Sequence, residues 1–154
     1  MAISRPDYRH GRIIGAYLTS TITGKRELHP AVIVSPDSAI VQPAQHDPRG
    51  GGSDNEIVVI GISTKYRNYP FPYIKLPYDD KNPKGHPHTG LTKDCAAIIG
   101  WYHVICIDDD RRYWGKDVPQ QIMRQVDDAI RKDLTNEVNK DLASLGRLRQ
   151  MLSL

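Results

Sequence analysis

His29 stands directly before Pro30, at the head of the apolar run Ala31, Val32, Ile33, Val34 that Ser35 closes. An imidazole with its ordinary pKa of ~6.5 can take or give a proton at neutral pH. Further along, the stretch STKYR (63–67) offers hydroxyl donors at Ser63 and Thr64 and positive charge at Lys65 and Arg67. Tyr66 and Tyr69 offer faces on which bases stack. Lys25 and Arg26, in a polar loop, suit contacts to a phosphate backbone. Together these are groups for proton transfer, hydrogen-bond donation and positive charge. The pattern predicts a shared groove built from His29, Ser63, Thr64, Lys65 and Arg67. Plainer roles stay open for each. His29 can satisfy a backbone group at a strand end. Ser63 and Thr64 can simply close a strand, the cations can be solvated, and the tyrosines can pack on the proline-rich turn that follows.

Other constellations are weaker. His86 and His88, in GHPHTG (85–90), have no third ligand nearby in sequence, so no metal site is expected. The three aspartates of IDDDRR (107–112) read as a polar turn. GGGSD (50–54) lacks the strand-to-helix context of a phosphate loop. No Ser-His-Asp order, Walker loop or dinucleotide fingerprint is present, and no cofactor is expected.

The chain of 154 residues is long enough for one domain with a real core, with 39% hydrophobic and 25% charged residues. A net charge of +3 permits a nucleic-acid partner without demanding one. There is no apolar segment of membrane-spanning length and no apolar signal core at the N-terminus, so a cytoplasmic protein without membrane contact is expected. Cys95 and Cys106 have no zinc or redox spacing and read as reduced packing residues. Trp101 and Trp114 read as core or dimer packing.

The first two thirds read as short strands at 12–17, 30–35, 56–63, 73–76, 95–99 and 102–107, with Pro30 confined to the first position of its strand or to an edge. The proline- and glycine-rich segment 41–55 is predicted to be a mobile insertion. Without strand–helix alternation, a parallel sheet is excluded in favour of a small antiparallel barrel or sandwich. The last third changes period. Ile122, Val126 and Ile130, flanked by Met123 and Ala129, make an amphipathic helix over 118–134. A second helix is predicted over 136–152, its stripe Val138, Leu142, Leu145, Leu148 and Leu152 packing either on the barrel or on a partner chain. The fold class is therefore mainly β with C-terminal helices, in a single barrel domain spanning 1–154.

The order of these motifs resembles the MazF/PemK family, the toxins of type II toxin–antitoxin modules. A Gly-x-Ile strand and a basic loop precede HPAVIVS, then come IVVIGIST, GLTKDC, a strand ending Ile-Asp, and an amphipathic helix. The resemblance covers residues 10 to 134. It implies an SH3-like barrel of the CcdB/PemK type, a homodimer, metal-independent endoribonuclease activity on single-stranded RNA such as mRNA, and a cognate antitoxin. Family members usually carry Arg-Pro where this chain has His29–Pro30, and a Thr where Ser63 falls, with Thr64 just after. The stretch AAIIGWYHVICID has no arginine and offers only His103 and Asp108 where some members keep a further catalytic group. A histidine in the arginine slot would move that position from charge stabilisation to proton transfer, with the cation supplied elsewhere. The resemblance thus implies an RNA-cleaving groove in which His29, Ser63 and Thr64 are catalytic and Lys25, Arg26, Lys65, Tyr66 and Arg67 bind RNA. Two other readings remain: a non-catalytic RNA- or protein-binding barrel, and a gyrase-directed toxin.

Overall fold

The computed structural model describes residues 8–40, 56–106, 112–135 and 142–154. The expected insertion at 41–55, Asp108 with its neighbouring aspartates, the beginning of the second helix and the side chain of Trp114 lie outside what is described.

Strands β1 (Arg12–Thr19), β2 (Arg26–Ile33), β3 (Glu56–Ser63), β4 (Tyr73–Lys75), β5 (Ala96–Cys106) and β6 (Arg112–Asp117) form one six-stranded sheet. Its order is β4-β5-β3-β2-β1-β6, and every pairing is antiparallel. Two helices follow, α1 (Gln120–Thr135) and α2 (Leu142–Met151). The chain is thus mainly β with C-terminal helices, as its patterning predicts.

Three strands differ from the sequence reading, each because pairing overrides local composition. β2 begins at Arg26 rather than Pro30, because the polar run Arg26–Pro30 is zipped onto β1 from Thr19↔Arg26 to Gly15↔Pro30. Pro30 therefore sits inside the strand. Its neighbour β3 pairs only from Ala31 onward, so the donorless residue still lies on a locally unpaired margin. β5 is one bent strand, not two. Gly100 takes φ +124 at the bend, and the register with β3 slips there, from Ile60↔Tyr102 to Ile62↔Ala97. β6 occupies a stretch with no strand expected, paired to the far side of β1.

The sheet buries both faces. On one face Ile13, Val32, Val58, Ile60, Ile62 and Ile99 meet Met123, Val126, Ile130 and Leu134 of α1. α2 adds Leu148 and Met151 to this cluster, with the following Leu152 buried in it, so the second helix lies on the chain's own core. Arg149 donates to the Leu134 carbonyl at 2.7 Å, satisfying an acceptor in the last turn of α1. On the opposite face Ile14, Leu18, Ile33, Ile57, Val59, Ile98 and Trp101 form a second cluster to which neither α1 nor α2 contributes a described residue. Tyr8, Ile40, Tyr66 and Tyr69 are packed into this second cluster. Cys95 is a buried free thiol. Among the described residues, no helix is long and apolar enough to cross a membrane.

Candidate functional site

A cleft of about 830 Å3 opens where β2 parts from β3. Its walls are the hairpin joining β1 to β2, the end of β3 with the turn after it, and the long loop before β5. Its position follows from the strand pairing: β2 pairs with β3 only from Ala31 onward, and the cleft lies beside the stretch before it.

The cleft gathers His29, Ser63, Thr64, Lys65 and Lys25. Tyr69 also lines it. Arg26, Tyr66 and Arg67 are not among the lining residues. Arg26 is exposed at the start of β2, opposite Thr19. Tyr66 is only 2% exposed, so its ring is core and offers no open face to a base. Its hydroxyl donates to Asp94 Oδ2 at 3.1 Å and accepts from Lys75 Nζ at 2.8 Å. Arg67 lies over that ring, 5.0 Å from its centroid.

His29 is held by its neighbours. Its ring meets the indole of Trp101 edge-on at 5.2 Å, and Tyr69 stacks at a tilt on the same indole at 5.3 Å. Trp101 is anchored from beneath by its own Nε1, which donates to the Thr19 carbonyl at 2.9 Å. Nε2 of His29 is buried without a hydrogen-bond partner, and the nearest carboxylate, Glu27 Oε2, is 3.9 Å away. Ser63 Oγ accepts from the Lys65 amide at 3.0 Å, which shapes the turn after β3 while leaving the hydroxyl proton to give.

Several lining residues carry no signal in the local sequence reading. Glu27 is one; yet it lies two residues from His29 on a strand, and period-two alternation puts the pair on one face. Lys84, Thr92 and Lys93 come from a proline- and glycine-rich loop whose path the sequence leaves open. That loop is fixed by Thr89, whose Oγ1 donates to the Pro77 carbonyl at 2.7 Å, and by Gly85 and Gly90 at positive φ. The lining charges are Lys25, Lys65, Lys84 and Lys93 against Glu27. Such an excess favours an anion of repeated charge. Cys95 also lines the cleft, but burial pushes its thiol up to about 11, so it stays protonated.

His103 is also near Trp101, at 6.2 Å between ring centroids, but does not line the cleft; burial lowers its pKa, so it tends to the neutral form. In the long loop His86 Nδ1 accepts from the His88 amide at 3.1 Å, so this pair shapes a turn. Among the described residues no group of three or more His, Cys, Asp or Glu stands close enough to hold a metal. No family model matches the chain, and no curated protein matches it.

Proposed function

We propose that the protein is a metal-independent endoribonuclease of the MazF/PemK kind that cuts single-stranded RNA. The observation that carries this reading is the convergence of His29, Ser63, Thr64 and Lys65 with three further lysines on one cleft. In this reading His29 Nδ1 takes the proton of a ribose 2′-OH. The 2′-oxygen bonds to the adjacent phosphorus, the bond to the 5′-oxygen breaks, and the same proton is returned from Nδ1 to that leaving oxygen. The products are a 2′,3′-cyclic phosphate and a 5′-hydroxyl. Thr64 and Ser63 donate to the phosphorane oxygens, and Lys65 with Lys93 offsets their charge. Glu27 closes on Nε2 when substrate fills the cleft and holds the transient imidazolium.

The fold reading belongs to the same proposal. The six-stranded antiparallel sheet, apolar on both faces with α1 and α2 packed on one, supports an SH3-like barrel of the CcdB/PemK type. A homodimer in the cytoplasm, silenced by a cognate antitoxin that covers the cleft, completes it. The buried, unpartnered Nε2 of His29 favours a second reading, a barrel that binds RNA without cutting it.

The test is incubation of the full chain, in excess chelator, with a long single-stranded RNA and with the all-deoxy strand of the same sequence. Cleavage of the RNA alone, leaving cyclic-phosphate ends, is expected. Binding of both strands without cleavage would favour the second reading, and binding of neither would contradict both.

A further inference from the structure

Behind the cleft wall lies a cluster that the chemistry above does not use. Lys75, on edge strand β4, donates both to the hydroxyl of Tyr66 at 2.8 Å and to Asp94 Oδ1, while the Tyr66 hydroxyl donates to Asp94 Oδ2 at 3.1 Å. The Lys75 ammonium also lies 4.7 Å from the centre of the Tyr66 ring, and the ring of Tyr73 stacks against Tyr66 at 4.6 Å. The three groups belong to three segments: the turn after β3, strand β4, and the end of the long loop before β5. In two of them the residue just before the cluster lines the cleft, Lys65 before Tyr66 and Lys93 before Asp94.

Resting on the RNA-cleft reading, we infer that Lys75, Tyr66 and Asp94 form a clamp of positioning residues that sets the separation of Lys65 and Lys93 to match phosphates along one RNA strand. Two features support this. An exposed ion pair alone fixes little, but here the pair closes on the hydroxyl of a tyrosine rooted in the core. The clamp also settles a charge. Asp94 adjoins Lys93, and its carboxylate would otherwise compete with phosphate for the cleft lysines. Lys75 neutralises it, and its hydrogen bond holds the Asp94 carboxyl below its usual pKa. The cleft thus keeps its positive excess with an aspartate at its margin.

The test uses a fluorescently labelled single-stranded 2′-deoxy oligonucleotide, which binds but cannot be cut through a 2′-OH. Its affinity for the full chain is measured across a salt series. Tyr66→Phe keeps the ring and removes the hydroxyl; Lys75→Gln removes the bridging charge; Lys75→Arg keeps a cation that reaches both oxygens. Expected are a roughly fivefold loss of affinity in Tyr66→Phe and Lys75→Gln and recovery in Lys75→Arg. The salt dependence should become shallower by about 0.7 for each lysine that loses its phosphate. The melting temperature of Lys75→Gln should stay close to that of the unaltered chain. Unchanged affinity and salt slope in both weakening variants, or a fall in melting temperature alone, would overturn the clamp while leaving the RNA reading intact. Failure of the unaltered chain to bind the oligonucleotide would overturn both.

Discussion

In the proposed reaction Nδ1 of His29 carries the proton, and the task of Glu27 is to meet the buried Nε2 on the far side of the ring. A charge forming on the ring is stabilised by a carboxylate near its far nitrogen, provided the 3.9 Å gap tightens on substrate binding. Replacing Glu27 by Gln keeps the shape and removes the charge. The turnover rate on RNA is expected to fall about tenfold, the equivalent of ~1.4 kcal/mol, with KM little changed. An unchanged rate in single-turnover kinetics would free Glu27 from this role. Thr64 and Ser63 separate by a similar argument, since Ser63 Oγ also accepts from the backbone of the turn and Thr64 is exposed on the cleft. Thr64→Ala is expected to cut the rate without loss of stability. Ser63→Ala should lower both rate and melting temperature, the latter because the turn loses its acceptor. At this scale the sequence was informative about residue types but not about their surroundings. His29 and Thr64 could be singled out by chemistry, whereas the placement of Tyr66 in the core depended on Asp94 and Lys75, which meet it only in three dimensions.

Among the elements, the bend in β5 places Trp101, on which the cleft residues His29 and Tyr69 pack. Gly100 turns the strand, and the indole of Trp101 then lies directly on Gly61 of β3, where a Cβ would come within 2.0 Å of it. Gly61→Ala must displace the indole that supports His29 and Tyr69. A loss of about 3 kcal/mol is expected, seen as a melting temperature lower by roughly 6–12 °C. A variant as stable as the original would mean that the indole relocates without cost. The first helix brings a pH dependence of its own. His10 Nε2 contacts Asp127 Oδ1 on α1 at 2.9 Å, and its amide donates to Asp37 at 2.8 Å. The hydrogen bond to Asp127 raises the pKa of His10 above its ordinary 6.5, although burial opposes the shift. Stability from this contact is therefore full below pH 6.5 and lost as pH rises through the higher folded value. Asp117 works in the opposite direction. Burial alone would raise its carboxyl, but Arg9 and Arg12 outweigh burial and hold it below 3.8, so its contribution is present above that pH and lost in stronger acid. In pH-dependent thermal melts, Asp127→Asn is expected to flatten the neutral limb and leave the acid limb in place. A neutral limb unaffected by the substitution would assign it to another group. Helix α1 and strand β3 were legible because their periods are strong, 3.6 and continuous apolar. β6 and the polar half of β2 were not, because only pairing with β1 makes them strands.

For the whole molecule, a net charge of only +3 says little, yet four of the lysines converge on one opening in the sheet. That concentration comes from topology. The β1–β2 hairpin, the end of β3 and the loop before β5 are far apart in the chain and meet beside the stretch of β2 before Ala31, which does not pair with β3. The strand patterning predicted a small β-rich fold, and one was found; no local pattern could supply the meeting of loops that builds the cleft. The most direct measurement is the rate of RNA cleavage in excess chelator by the unaltered chain, His29→Ala and His103→Ala, each shown to be folded by circular dichroism. The two histidines share contact with Trp101, but only His29 lines the cleft. The predicted result is a loss of at least ~100-fold for His29→Ala, the scale of a missing general base, with His103→Ala close to the unaltered rate. Equal rates in all three proteins, or no cleavage by the unaltered chain, would contradict a nuclease built on His29.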